Sequence, residues 1–250
     1  MLKLPSVTLV IAETRAHELA RRTLCDLVSR VEFGDILIYS DHSELIDVPG
    51  ATHIPVIDWP DKLAAGLFYY TEAATKIKTS HALLMEWDAG LNDPAMWSDE
   101  FLQYDYIGAP WPSAAMARQF PNRLVGNGGF MLQSKRLIDF VYRNRDRFPI
   151  TTDVHISCRY RPAIEAEGNL KWAPADVAVR FAFEGWDGIP RLTERPKSFG
   201  YHGLFHWRFM LTPTELRERA NLVSNNQFLC RTGKLKLLHR STPSIGALKA

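Results

Sequence analysis

The apolar run Leu83-Leu84-Met85 stops at Glu86-Trp87-Asp88 and turns through Ala89-Gly90. A buried strand that ends this way sets two carboxylates at the carboxyl edge of a sheet, where open α/β proteins bind ligands. Hard oxygen donors there suit a divalent cation, Mn²⁺ or Mg²⁺, that leaves most of its coordination to water and phosphate. Beside a diphosphate, such an ion offsets the charge that grows on a leaving phosphate oxygen. Solvated acids at an ordinary strand end account for the pair equally well. Trp87, between them, points to the opposite face and is expected to pack in the core. Asp88 is expected to be an exposed site residue whose loss costs little stability.

Three further clusters carry chemistry. Gly126-Asn127-Gly128-Gly129-Phe130 has three glycines in four positions, which implies unusual backbone angles or close approach by a ligand. It lacks G-x-G-x-x-G spacing and a P-loop lysine, so dinucleotide and Walker-type binding are disfavoured. A hairpin turn explains it as well. In Thr151-Thr152-Asp153-Val154-His155, Asp153 fits a helix N-cap and also a general base that takes a proton from an acceptor hydroxyl. His155 is expected to be structural. In Phe199-Gly200-Tyr201-His202-Gly203, His202 stands among small residues and could supply a third metal ligand. His206 follows four residues on, but Gly203 interrupts a helical zinc pair. Trp111, Tyr201 and Trp207 flank these segments and could pack on sugar rings or in the core.

These residues need a scaffold. Val7–Ala12 is a continuous apolar run, as in a strand covered on both faces. Leu19, Ala20, Leu24, Leu27, Val28 and Val31 form a helical stripe over 16–31. Asp35–Asp41 is a second strand, Thr52–Ile57 a third, 61–79 a helix and 81–87 the strand that ends in the two acids. This order predicts a mostly parallel sheet with helices on both faces. Beyond it come a short strand from Tyr106, a loop over 113–124, a helix from Lys135 to Asn144, an alternating strand over 177–183 and a helix over 213–222.

Composition narrows the classes. With 250 residues, 46% hydrophobic and 23% charged, the chain can bury a sizeable core. A net charge of +2 gives no reason to expect nucleic acid. Cys25, Cys158 and Cys230 form no disulfide or metal pattern, which fits a reducing compartment. No signal peptide or membrane span is evident, so a cytoplasmic protein is expected. The last residues carry Arg231, Lys234, Lys236, His239 and Arg240, and this basic tail could touch the inner face of a membrane. The expected organisation is one domain over 1–212, then a C-terminal helix and tail over 213–250.

Tyr104-Asp105-Tyr106-Ile107-Gly108-Ala109-Pro110-Trp111-Pro112, then the Gly126–Phe130 and Phe199–Gly203 blocks, resembles an uncharacterised family related to GT-A glycosyltransferases. The resemblance implies an α/β GT-A-like (Rossmann-like) fold, a mixed but mostly parallel sheet flanked by helices. It also implies a nucleoside-diphosphate sugar as donor and a glycan or other hydroxyl acceptor. By position, Glu86 and Asp88 match a DxD-type metal turn, His202 a late metal ligand and Asp153 the base of related inverting enzymes. Asn127, Gly128 and Gly129 match a segment that lines donor sugar and acceptor. Thr14, Arg15 and Asp41 fall where the nucleotide would lie. The chain departs from that pattern in having Glu86 where Gln is usual and Thr152 where an acid precedes the base. The resulting expectation is an inverting, metal-dependent glycosyltransferase. The alternative is a catalytically silent carbohydrate or nucleotide-sugar binder on the same fold.

Overall fold

The computed structural model describes residues 1–42, 47–111, 114–184, 195–227 and 229. The predicted basic tail lies outside the described residues.

Two parallel β-α-β units build the first half. Strand β1 (Leu2–Ala12) leads to helix α1 (His17–Arg30) and strand β2 (Val31–Ser40). After β3 (Thr52–Pro55) comes α2 (Lys62–Thr71), then a 3₁₀ turn and β4 (His81–Met85). Beyond β5 (Ala89–Leu91), β6 (Tyr106–Gly108) and α3 (Ala114–Gln119) lie β7 (Phe130–Ser134) and α4 (Lys135–Arg143). The chain continues through α5 (Arg161–Gly168), α6 (Ala175–Phe181), β8 (Ala182–Glu184), β9 (Gly200–His202), α7 (Trp207–Met210) and α8 (Pro213–Asn225).

Six strands form the main sheet in the order β3-β2-β1-β4-β7-β6. The β1–β2, β1–β4 and β2–β3 pairs are parallel, and β7 runs against both β4 and β6. This is the mixed, mostly parallel sheet with flanking helices that the sequence predicts. Central strands alternate their apolar residues between two cores, as a period of two requires. Leu9, Ile11, Leu83, Met85, Phe130 and Leu132 go to one, with Leu19, Leu24 and Leu27 of α1. Val10, Ala82, Leu84 and Met131 go to the other.

A second sheet, β5-β9-β8, stands beside the end of β4. Its register pairs Ala89 with His202 and His202 with Glu184. Three segments from distant parts of the sequence therefore converge on one histidine.

Helix α8 packs on α1. Arg219 of α8 donates to Thr23 Oγ1 at 2.9 Å, and Val223 is buried in the first core.

Three predicted elements differ. Of the strand predicted over 177–183, residues 177–181 are a helix after Pro174 that buries Val177, Ala178 and Phe181 on one side and leaves Val179 41% exposed, and only Ala182 and Phe183 lie in a strand, β8. The helix α3 occupies part of the predicted loop over 113–124. The helix predicted over 61–79 stops at Thr71.

Candidate functional site

Because β1, β2 and β4 are parallel, their carboxyl ends share one edge of the sheet. Glu86 and Asp88 follow β4 directly. Glu86 N–H donates to Gly129 C=O at 2.9 Å, which extends the β4–β7 pairing one step into the turn. Trp87 turns to the core and meets Trp207 edge-on at 6.2 Å, as expected. The first acid faces solvent, its side chain 44% exposed, while Asp88 is fully buried. That corrects the expectation of an exposed Asp88: β5 and β9 close over it, and Gly203 N–H donates to its carbonyl at 3.0 Å.

His202 completes the group. Its Nε2 lies 3.4 Å from Asp88 Oδ1 and 3.8 Å from Glu86 Oε2, and its Nδ1 lies 3.3 Å from Glu184 Oε1. One ligand atom from each of Glu86, Asp88 and His202 lies within 4.8 Å of the others, and no second such group occurs among the described residues. Burial disfavours charge on His202, but the carboxylates of Asp88, Glu184 and Glu86 outweigh it and hold the pKa well above the ordinary histidine value.

The donor set fits a divalent cation. Both ring nitrogens of His202 are buried, and among the described residues they face carboxylate oxygens at 3.3–3.8 Å without a well-aligned hydrogen bond. Three carboxylates around one imidazole form a negative pocket, and oxygen donors with one imidazole suit Mn²⁺ or Mg²⁺.

The glycine turn links this group to Asp153. Asn127 Oδ1 accepts Gly129 N–H at 3.0 Å, and Gly128 N–H donates to Asp153 Oδ2 at 3.0 Å. A Cβ on Gly129 would stand 2.1–2.5 Å from the His202 ring, and one on Gly128 would stand 2.8 Å from Asp153 Cβ. Two adjacent glycines thus let the histidine and the acid approach one peptide from its two ends. Gly203 has φ of 101°, which only glycine adopts freely, and it turns the chain away after His202.

Asp153 is not the helix cap. Thr152 Oγ1 takes that part by accepting His155 N–H at 3.2 Å. Asp153 Oδ1 instead accepts Val154 N–H at 2.8 Å. His155 is structural, 3.2 Å from Thr151 Oγ1 and edge-on to Tyr160. His206 stays out of the ligand group, fully buried against the Phe183 and Tyr201 rings. Trp111, Tyr201 and Trp207 are all buried, so their faces serve the core rather than a sugar.

Thr14, Arg15 and Asp41 lie at the same sheet edge, just beyond β1 and β2. Thr14 donates to Asp58 Oδ1 at 2.7 Å, Arg15 to Trp59 C=O at 2.5 Å, and Asp41 pairs with His17 at 2.7 Å. They tie the ends of β1 and β2 to the segment after β3 and to α1.

The sequence reading missed four residues here. Glu13 is buried after β1 and accepts the Arg15 and Ala16 N–H groups at 2.6 and 2.8 Å. Burial raises its pKa against those two hydrogen bonds, and Glu86 nearby adds to the rise. Tyr70 of α2 is buried and Tyr69 is partly buried, and desolvation pushes both hydroxyls well above the usual tyrosine pKa. The Tyr70 hydroxyl borders the slot at Gly128. Glu184 is the fourth. It ends a strand, the same signal that marks Glu86 and Asp88, but the misread alternation over 177–183 hid it.

A family model matches residues 66–202, more than half of the chain and from α2 to the histidine. The chain belongs to the family described as protein of unknown function DUF5672. The expected membership of an uncharacterised family is therefore met, and the matched span holds Glu86, Asp88, Asp153, Glu184 and His202. No curated protein matches by sequence. Among solved structures, the chain is similar to a mycobacterial protein at 12% identity and a TM-score of 0.39, over 59% of this chain and 63% of that one. It is also similar to glucosyl-3-phosphoglycerate synthase from Mycobacterium tuberculosis. One structure, with Mn²⁺, uridine diphosphate and phosphoglyceric acid, gives 10% identity and a TM-score of 0.39 over 57% of this chain and 64% of that one. Another, with Mn²⁺, uridine diphosphate and glucosyl-3-phosphoglycerate, gives 12% and 0.40 over 57% and 66%. The chain spans less than two thirds of each, and a likeness this slight bears on neither activity nor substrate.

Proposed function

We propose that this protein is a metal-dependent glycosyltransferase of the GT-A type that moves a sugar from a nucleoside-diphosphate donor to an acceptor hydroxyl with inversion. The observation that carries the reading is one peptide, Gly128-Gly129, that touches a cation-type ligand group at one end and Asp153 at the other. A leaving-group site and a base site next to each other are what displacement at an anomeric carbon requires.

Glu86, Asp88 and His202 would hold Mn²⁺ or Mg²⁺, which when bound supplies Lewis-acid stabilisation to the departing diphosphate. Asp153 would take the proton of the acceptor hydroxyl. Its two oxygens each accept one backbone N–H, which fixes the orientation of the carboxylate beside the glycine turn. Asn127, Gly128 and Gly129 would line the donor sugar. Thr14, Arg15 and Asp41 stand at the same edge and would meet the nucleotide. The acceptor would be a glycan or another hydroxyl compound. No helix among the described residues is long and apolar enough to cross a membrane.

The same two backbone bonds also favour a second reading, a silent sugar or nucleotide-sugar binder in which Asp153 only braces the glycine turn. A panel of nucleoside-diphosphate sugars with and without Mn²⁺ separates the two. The transferase reading expects thermal stabilisation that needs both nucleotide and metal, together with release of free nucleoside diphosphate. Sugar binding that ignores nucleotide and metal would sink it in favour of the binder.

A further inference from the structure

We propose that Glu184 is a positioning residue that sets the orientation and donor strength of His202. This role presupposes the cation site proposed above. Glu184 ends β8 directly opposite His202 in the β8–β9 register. Its side chain is only 16% exposed, and Oε1 lies 3.3 Å from His202 Nδ1. Oε2 is buried without a hydrogen bond among the described residues. A carboxylate this far withdrawn from water carries a desolvation cost, and its charged partner among the described residues is His202.

The two nitrogens of an imidazole point to opposite sides of the ring. Nε2 faces Asp88 and Glu86, whereas Nδ1 faces Glu184. Glu184 therefore cannot share an ion with the other two acids through that ring. It can accept the Nδ1–H, which leaves the Nε2 lone pair directed at the cation and makes that nitrogen a better donor. The small sheet supports this arrangement. Each residue next to His202 across the strands adjoins or is an acid of the site, because Ala89 follows Asp88 and the other neighbour is Glu184.

The test is Mn²⁺ affinity of the full chain, read from the EPR signal of free Mn²⁺, for wild type, Glu184→Ala, Glu184→Gln and Asp88→Asn. Glu184→Ala is expected to bind roughly 10- to 100-fold more weakly, the usual loss for an outer partner of a metal ligand. Glu184→Gln keeps an acceptor oxygen and should recover part of that loss, a rescue that simple damage to the strand would not give. In the Mg²⁺-loaded protein, the His202 Nδ1–H should be a shifted, slowly exchanging proton in NMR and should vanish in Glu184→Ala. If both Glu184 variants bind as wild type while Asp88→Asn does not, this role for Glu184 is overturned and the cation site stands. If Asp88→Asn also binds as wild type, the cation site falls and the role falls with it. Should Glu184→Ala fail to fold, Glu184→Gln decides: several-fold weaker binding supports the role, and unchanged binding overturns it.

Discussion

Asp88 and His202 are joined twice. The chain just after the histidine donates a backbone hydrogen bond to the Asp88 carbonyl at 3.0 Å, and His202 Nε2 sits 3.4 Å from the buried Asp88 carboxylate. The backbone bond fixes where the two side chains meet, so the carboxylate can be neutralised without moving the strands. Asp88→Asn should therefore abolish the thermal stabilisation by Mn²⁺ and lower transfer by more than about 100-fold, beyond the effect of losing an outer partner. In chelator, the cost to stability should stay under about 3 kcal/mol, because Glu86 and Glu184 remain beside His202 while a lone buried pair costs more to break. Urea unfolding with EDTA and a Mn²⁺ thermal-shift series measure the two. A full Mn²⁺ shift in the variant would remove Asp88 from the site.

The two adjacent glycines should separate by function. Gly129→Ala puts a Cβ into the His202 ring, and Gly128→Ala puts one against Asp153 and the Tyr70 hydroxyl. Each should cost about 1–3 kcal/mol, as overpacking does. Gly129→Ala should lose Mn²⁺ binding, whereas Gly128→Ala should bind Mn²⁺ and lose transfer. Metal titration beside a product assay shows the split. Equal effects on both readouts would mean that the turn acts as one structural unit with no division between its ends.

The contrast between these sites and Glu184 shows how far the sequence could be read. Glu86 and Asp88 announce themselves because a continuous apolar run ends on them. The main sheet is legible for the same reason, since its strands and helices are long enough to show a period. The second sheet is not. Its strands have three residues each and come from the regions of 90, 183 and 201, so no periodicity marks them and nothing local tells that Asp88 will be covered. Val177, Val179, Phe181 and Phe183 suggest a strand by alternation, but Val177, Ala178 and Phe181 satisfy a helical stripe equally, and Pro174 begins it. Glu13 and Tyr70 approach the site only through tertiary packing of β1 and α2.

Asp153→Asn tests the base. Asparagine can keep the acceptor oxygen for Gly128 N–H but cannot take a proton. Transfer should fall by at least about 100-fold, the scale of general-base catalysis, with Mn²⁺ and nucleotide binding unchanged. A near-normal rate, with an α-linked product from an α-linked donor, would point to retention and leave Asp153 as a brace for the turn.

His206 should make the protein sensitive to acid. Burial drives its pKa from 6.5 down to about 3, and the positive charges of His202 and Arg208 push the same way. The folded value lies below the unfolded one, so between those limits the unfolded chain takes up a proton that the native ring refuses. Stability is therefore whole above pH 6.5 and falls as pH drops toward 3, by at most about 1.4 kcal/mol per unit. His202 works in the opposite sense, because its raised pKa stabilises the metal-free fold at low pH and that contribution fades as pH rises. The net slope mixes the two, and a substitution at His206 separates them. His206→Leu is close in volume and keeps the contact with Phe183 and Tyr201. In chelator, its loss of stability between pH 7 and pH 5 should be smaller than that of wild type by about 2 kcal/mol, measured by urea midpoints. Parallel curves for the two proteins would mean that the His206 ring takes up its proton without unfolding, and so that its pocket opens to water in the native state.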